Sequence, residues 1–307
     1  MKVLVTGANG FVGRAVLDRL RRDGHAVRAA VRTADTLPPD VERTAGDLHP
    51  VRNWSDSLHR VDAVIHLAAR VHVMREAAAE PLDEYRRVNV DGTVHLASAA
   101  AAAGARRFVY VSTLKVNGEA GQFTEGNQPA PADPYAQSKY EAEVALRQIA
   151  NDHRLEVVIV RPPLVYGPGV QANFRLLMRA IARGVPLPLG AIRNQRSLVG
   201  IDNLVDFIMT CLAHPSAANE TFLVADGEDL STPDLVRRLA RAMGRPSRLF
   251  PVNPSLLRLG ASLCGRRDLV DRLVESLQAD ITKARTCLTW SPPVSVDEGL
   301  MRATRPR

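Results

Sequence analysis

Alternating strand and helix patterns along 307 residues predict an α/β fold: a doubly wound parallel sheet with a smaller, mixed C-terminal domain. Three observations carry that expectation. The chain opens MKVLVTGANGFVGRAVLDRL, an apolar run at Val3–Val5, a glycine-rich turn, then apolar residues at helical spacing. Further short apolar runs follow, with helical patterns between them. A Gly- and Pro-rich stretch over 166–200 then interrupts the alternation.

In order, the first turn spaces Gly7, Gly10 and Gly13 as G-x-x-G-x-x-G. Missing side chains there let backbone N–H groups at a helix N-terminus approach a pyrophosphate, which makes the first unit a Rossmann-type dinucleotide site. Strands are expected at 26–31, 41–44, 63–67, 108–112 and 157–160. The helix DGTVHLASAAAAA, from about 91 to 103, is apolar nearly all round and suits a buried position or a subunit contact. A helix at about 203–213 and a strand at 222–225 are expected to return to the first domain. That domain spans 1–165 with returns near 200–225, and 166–199 with 226–307 build the second, substrate-binding domain.

DPYAQSKYEAE carries the most chemistry. Asp133 is a natural N-cap and Pro134 suits the first helical position, so Tyr135 falls in the first turn with Lys139 four residues on. Residues four apart share a helix face, so the ammonium is expected to draw the phenol pKa down and fit Tyr135 for proton transfer to or from an alcohol or ketone oxygen.

Composition narrows the function. No run approaches the roughly 20 apolar residues of a membrane span, and the opening residues already belong to the first strand and turn, so no leader and no membrane association are expected. Cys211, Cys264 and Cys287 are few and widely spaced, which suits reduced thiols in a cytoplasm and no metal site. The formal charge of +7 comes mostly from arginine, since Lys2, Lys115, Lys139 and Lys283 are the only lysines. The basic residues are scattered and not interleaved with aromatics, so a phosphorylated ligand is expected rather than nucleic acid.

TGANGFVG, GDL at 46–48, HLAA at 66–69, NVDGT at 89–93, VST at 111–113, YAQSK and RPPLVYGPG from Arg161 stand in the order found in the extended short-chain dehydrogenase/reductases, and essentially the whole chain resembles the NAD-dependent epimerase/dehydratase family. It looks like the nucleotide-sugar branch, and STLKVNGE and RPPLVYGPGVQANF are similar to bacterial UDP-glucose 4-epimerase-like proteins, some of which reduce UDP-4-keto-6-deoxy-N-acetylglucosamine in surface polysaccharide synthesis. The resemblance implies Tyr135 as acid/base, Lys139 on the nicotinamide ribose and Thr113 on the reacting oxygen. It implies a cofactor site of Gly7, Asn9, Gly10, Phe11, Val12, Gly13, Leu67, Ala68, Ala69, Val111 and Pro162, with Asp47 and Leu48 at the adenine and Asn89 beside the active site. His66 is expected to be structural. Asn173 and Arg196 match residues that hold the nucleotide and its diphosphate, and Arg267 or Arg272 would add a second clamp. A homodimer through the helices at 91–103 and 134–150 is also implied.

Three departures refine this. Arg32 follows Val31 where NAD-preferring relatives carry an acid, which favours NADP over NAD, although an arginine stacked on adenine also serves NAD. Leu114 and Lys115 replace the Asp-Glu pair of the 4,6-dehydratases, which removes the acid and base for elimination. Leu164 replaces an asparagine near the sugar phosphate. Lys115 is expected either to bring charge to a C4 alkoxide or to satisfy a loop carbonyl at the rim. The leading expectation is reduction of a UDP-linked 4-keto-6-deoxy sugar, with Tyr135 as proton donor; the alternative is a 4-epimerase that keeps its NAD. A non-catalytic NADP-binding sensor of the same fold is the third reading, and such a protein would be expected to lose Tyr135 or Lys139.

Overall fold

The computed structural model describes residues 1–32, 37–48, 53–71, 81–263, 265 and 267–305. Among them the strands are β1 (Lys2–Thr6), β2 (Ala26–Val31), β3 (Glu42–Ala45), β4 (Ala63–His66), β5 (Arg107–Val111), β6 (Gly121–Phe123), β7 (Glu156–Arg161), β8 (Leu164–Tyr166), β9 (Leu198–Gly200), β10 (Thr221–Leu223) and β11 (Leu277–Ala279). The helices are α1 (Phe11–Arg22), α2 (Ser55–Leu58), α3 (Pro81–Arg86), α4 (Gly92–Ala102), α5 (Pro134–Asp152), α6 (Ala172–Ala182), α7 (Ile201–Ala213), α8 (Thr232–Ala242), α9 (Pro254–Leu263), α10 (Arg267–Val274), α11 (Thr282–Leu288) and α12 (Val296–Ala303). None of the described helices is long and apolar enough to cross a membrane.

Seven strands form a parallel sheet in the order β10-β7-β5-β4-β1-β2-β3. The order reverses between β1 and β4, which leaves a crevice at their carboxyl ends where ligands bind in folds of this kind. Both faces are covered, as a parallel sheet requires. Val16, Leu17 and Leu20 of α1 and Leu204, Phe207 and Ile208 of α7 pack on one face. Leu58 of α2, Leu96, Ala97 and Ala100 of α4 and Ala142 and Leu146 of α5 pack on the other.

A third core gathers β8, β9, α6, α8 and α12 around Tyr166, Phe174, Leu198, Val236, Leu239 and Leu300. Tyr166 ties it to the sheet. Its hydroxyl donates to Asp226 Oδ2 at 2.7 Å, while Asp226 Oδ1 accepts from Gly200 N at 2.8 Å and Asn203 Nδ2 at 2.7 Å.

The expected strands all form, with bounds shifted by a residue or two; the one expected at 41–44 lies at Glu42–Ala45. The apolar helix at 92–102 is longer than its sequence pattern suggests. It continues without a break from α3 through a π-helical turn at Arg87–Asp91, which the Asn89 side chain ties to Arg70 and to Ser138 of α5.

Candidate active site

The first turn makes a cradle that side chains would fill. Gly7 has φ 65°, and a Cβ there would lie 2.9 Å from Ala68 N; a Cβ on Gly13 would lie 2.1 Å from the Gly7 carbonyl oxygen. Gly10 N-caps α1 without a side-chain cap, so the helix presents its first-turn N–H groups uncapped by any side chain. Gly10 N donates to Gly7 O at 2.9 Å and Arg14 Nε to Asn9 O at 3.0 Å, which fixes the turn. An anionic pyrophosphate fits such a helix N-terminus. Across the crevice, Thr6 Oγ1 accepts from Leu67 N and Ala68 N, both at 3.2 Å, and sets the backbone at Leu67, Ala68 and Ala69 beside this turn.

His66 lies behind the cradle, fully buried. Thr6 Oγ1 is 2.6 Å from its Nδ1 and Thr93 Oγ1 is 2.9 Å from its Nε2. With the Thr6 oxygen already accepting two N–H groups, its own proton goes to Nδ1, which leaves Nε2–H to donate to Thr93. Burial, assisted by the nearby Lys139 charge, pushes the His66 pKa down to about 3, so the ring stays neutral.

At the far end Arg32 and Asp47 are both exposed, and Gly46 N donates to Val31 O at 2.9 Å to keep the two strand ends together. Leu48 sits deeper than Asp47. Only 5% exposed, its side chain belongs to the core, and its carbonyl oxygen lies where a Cβ on Gly92 would collide at 2.3 Å. Its side chain packs in the same core as Leu96 of α4.

Asp133 caps α5 as the spacing predicts, Oδ1 accepting the Ala136 N–H at 2.7 Å, and Tyr135 falls in the first turn. Ser138 donates to the Tyr135 carbonyl at 2.8 Å and accepts from Asn89 Nδ2 at 3.0 Å. Asn89 Oδ1 in turn accepts from Arg70 N at 2.7 Å. One buried asparagine thus joins the segment after β4 to α5.

The expected depression of the tyrosine pKa is not what this arrangement produces. Desolvation comes first in pushing the Tyr135 pKa above its ordinary value, and the Asp133 carboxylate and the Tyr85 phenol add to it. Tyr135 keeps part of its surface open to solvent, which tempers the push from burial. The Tyr85 ring meets it edge-on at 6.3 Å between centroids. Lys139, only 2% exposed, has its ammonium 4.0 Å from the centre of the Tyr110 ring. Desolvation drops its pKa to about 7, and the Glu143 carboxylate one turn along resists that drop. Glu143 is already shared: Ser112 Oγ donates to it at 2.6 Å and Arg161 Nε at 2.9 Å, both buried.

Thr113, two residues beyond β5, caps a 3-10 turn at Leu114–Val116, its Oγ1 accepting from Lys115 N at 3.3 Å. Leu114 N donates to the Pro162 carbonyl at 2.8 Å, which brings the ends of β5 and β7 together beside Val111. Lys115 reaches across to the start of α5. Its Nζ donates to Asp133 Oδ2 at 2.6 Å and to Glu119 Oε1 at 2.8 Å, so two carboxylates share its charge.

The second unit's candidates are dispersed. Asn173 is exposed near the start of α6, whose Phe174 stacks on Tyr166 at 5.7 Å. Arg196 spends Nη1 on the Arg272 and Glu275 carbonyls, at 2.8 and 3.0 Å, which satisfies the end of α10. Arg267 opens α10, and its side chain lies outside the described residues. Leu164 is 47% exposed on β8. Tyr85, Tyr110, Ser138 and Glu143 are site residues that sequence reading did not single out. The four-residue step from Lys139 to Glu143 was available as a signal; the Tyr85 contact had none.

The NAD dependent epimerase/dehydratase family profile matches residues 3–225. A UDP-glucose 4-epimerase of Vibrio cholerae is 44% identical over 309 residues, covering 99% of this chain and 94% of that protein. A 2-alkyl-3-oxoalkanoate reductase of Stenotrophomonas maltophilia is 32% identical, covering 98% of each. Among solved structures, MoeE5 in complex with UDP-glucose and NAD is similar with a TM-score of 0.80 and 28% identity, covering 99% of this chain and 97% of that one. With its cradle, its Tyr135–Lys139 helix and a family match over most of its length, this enzyme belongs to the NAD-dependent epimerase/dehydratase family and has the extended short-chain dehydrogenase/reductase fold.

Proposed function

We propose that this enzyme is a nucleotide-sugar 4-epimerase that inverts C4 of a UDP-linked hexose and retains NAD between turnovers. The observation that carries this reading is the 44% identity to a UDP-glucose 4-epimerase along nearly the whole of both chains. It reverses the order of the two leading expectations, in which reduction came first. The glycine cradle and the α1 N-terminus fit the pyrophosphate, with Arg32 and Asp47 at the adenosine end. The nicotinamide supplies a hydride acceptor and donor when bound. Tyr135 would take the C4 hydroxyl proton and return one after the sugar has turned, while Thr113 Oγ holds the same oxygen. Lys139, one helical turn from the phenol, would hold the ribose and in its protonated form would favour the phenolate. The sugar nucleotide would lie between the sheet and the unit formed by 166–199 and 226–307, with Asn173 and the rest of the Arg196 fork toward it.

Two supporting proposals follow. Val144 on α5 is 48% exposed and Val94 and Ala99 of α4 are half-buried, which suits a homodimer through these helices in the cytoplasm. Arg32, with no acid at that position, favours the second reading, a reductase that consumes NADPH.

One experiment separates them. Purified protein is incubated with UDP-glucose without added cofactor, and UDP-galactose is measured; in parallel, loss of NADPH or NADH absorbance is followed with a UDP-4-keto-6-deoxy sugar. Interconversion is expected, reduced by roughly 10²- to 10⁴-fold in Tyr135→Phe. Stoichiometric oxidation of reduced nicotinamide with no interconversion would promote the reductase instead.

A further inference from the structure

Lys115 occupies the short turn that begins directly after Thr113, and its side chain crosses to the start of α5. Its two carboxylate partners have different duties. Glu119 lies four residues along the same segment, whereas Asp133 uses its other oxygen to cap the helix that carries Tyr135 and Lys139. A parallel strut, Ala130 N to the Val116 carbonyl at 2.9 Å, joins the same two segments. The side chains of Lys115 and Asp133 are 22% and 18% exposed, so water screens this pair less than one on the open surface.

We propose that Lys115 is a positioning residue acting through Asp133: it locks the first turn of α5 onto the segment bearing Thr113 and cancels the negative charge two residues before the Tyr135 phenol. The proposal rests on the reading of Tyr135 as the proton-transfer group. Two effects follow from the geometry. Without the ammonium, the helix cap loses the partner that holds it against the Thr113 segment. The Asp133 charge, one of the groups that raise the Tyr135 pKa, would also stand less compensated. The other titratable groups around that phenol are Tyr85 on α3, Tyr110 on β5 and Lys139 one turn along α5. None of them is altered by changing Lys115.

The test uses the full chain loaded with NAD, with UDP-glucose as substrate, from mildly acidic to strongly alkaline pH, so that the window reaches the raised Tyr135 phenol. Lys115→Met is expected to lower kcat near neutrality by about three- to tenfold, to leave KM within about twofold, and to move upward the limb on which the rate rises with pH. Lys115→Arg, which keeps the cation, should restore both. Asp133→Ser keeps a capping hydroxyl without the charge, so in that background Lys115→Met should no longer shift the limb. Amide hydrogen exchange at residues 135–138 needs no turnover and should speed up in Lys115→Met. A wild-type protein inactive toward UDP-glucose would therefore sink the functional reading while exchange still tested the clamp. A raised KM with an unmoved pH limb would make Lys115 a substrate contact and overturn the proposal. Unchanged exchange in Lys115→Met, or an equal limb shift in the Asp133→Ser background, would overturn it too.

Discussion

Lys139 carries an ammonium where water barely reaches, with an aromatic face and a shared carboxylate as compensation. Its folded pKa is about 7 against an ordinary 10.5. Below pH 7 both folded and unfolded chains hold the proton, and the desolvation penalty stands in full. Between 7 and 10.5 the unfolded chain binds the extra proton, so this group makes stability rise with pH by up to about 1.4 kcal/mol per unit. Urea unfolding of the cofactor-free protein should thus show stability climbing across the lower half of that window, and Lys139→Met should flatten the climb. An equal slope in the variant would assign it to other groups. At this scale the helix period made Asp133, Tyr135 and Lys139 legible, because local spacing alone decides which of them share a face. Lys115 and Leu48 were legible as residues, but their contacts were not. Their partners, Asp133 and Gly92, come from elsewhere in the chain, and only the fold brings them within reach.

Among elements, the turn between β1 and α1 has least room to vary. An alanine at Gly13 would set its Cβ against the Gly7 carbonyl, a backbone atom that cannot swing aside. Gly13→Ala should therefore push α1 away from the turn and destabilise the protein by about 1 to 3 kcal/mol, as overpacking does. It should also weaken dinucleotide binding at least tenfold, about 1.4 kcal/mol. Calorimetric titration checks the second effect and denaturant midpoints the first; normal NAD affinity would show that the turn is not the pyrophosphate cradle. The glycines announced this element because a strand, a turn and a helix follow one another within 22 residues. Arg196 lay beyond such reading: α10 is a short helix, its last carbonyls need donors, and the nearest guanidinium meets them.

For the whole molecule, two cores sandwich the sheet and a third stands apart, linked through Tyr166 and Asp226. Burial leads in raising both pKa values, so the phenol remains a donor. Tyr166→Phe would leave Asp226 with the Gly200 and Asn203 bonds but one lone pair unanswered in a buried place. A loss of about 1 to 3 kcal/mol is expected, read as a lower denaturant midpoint. No change would mean that apolar packing alone joins the third core to the sheet. The alternation of apolar runs revealed the sheet, since the inner strands of a covered parallel sheet are apolar on both faces, while the edge strand β3 is polar and largely exposed. The third core was less legible, because its strands β8 and β9 are three residues each and no period emerges from so few.

The π turn at Arg87–Asp91 has a consequence in phase. In a regular α-helix, side chains four apart drift by about 40° at each step, so Tyr85, Asn89 and Thr93 would fan out around the cylinder. A π turn takes about 4.4 residues and slows that rotation. The three side chains consequently form one rail, meeting Tyr135, Ser138 and His66 in succession. The stretch therefore works as a vernier: its extra fraction of a turn sets how one helix is indexed against both α5 and the sheet, and a single-residue deletion there would reset the index for all three contacts at once.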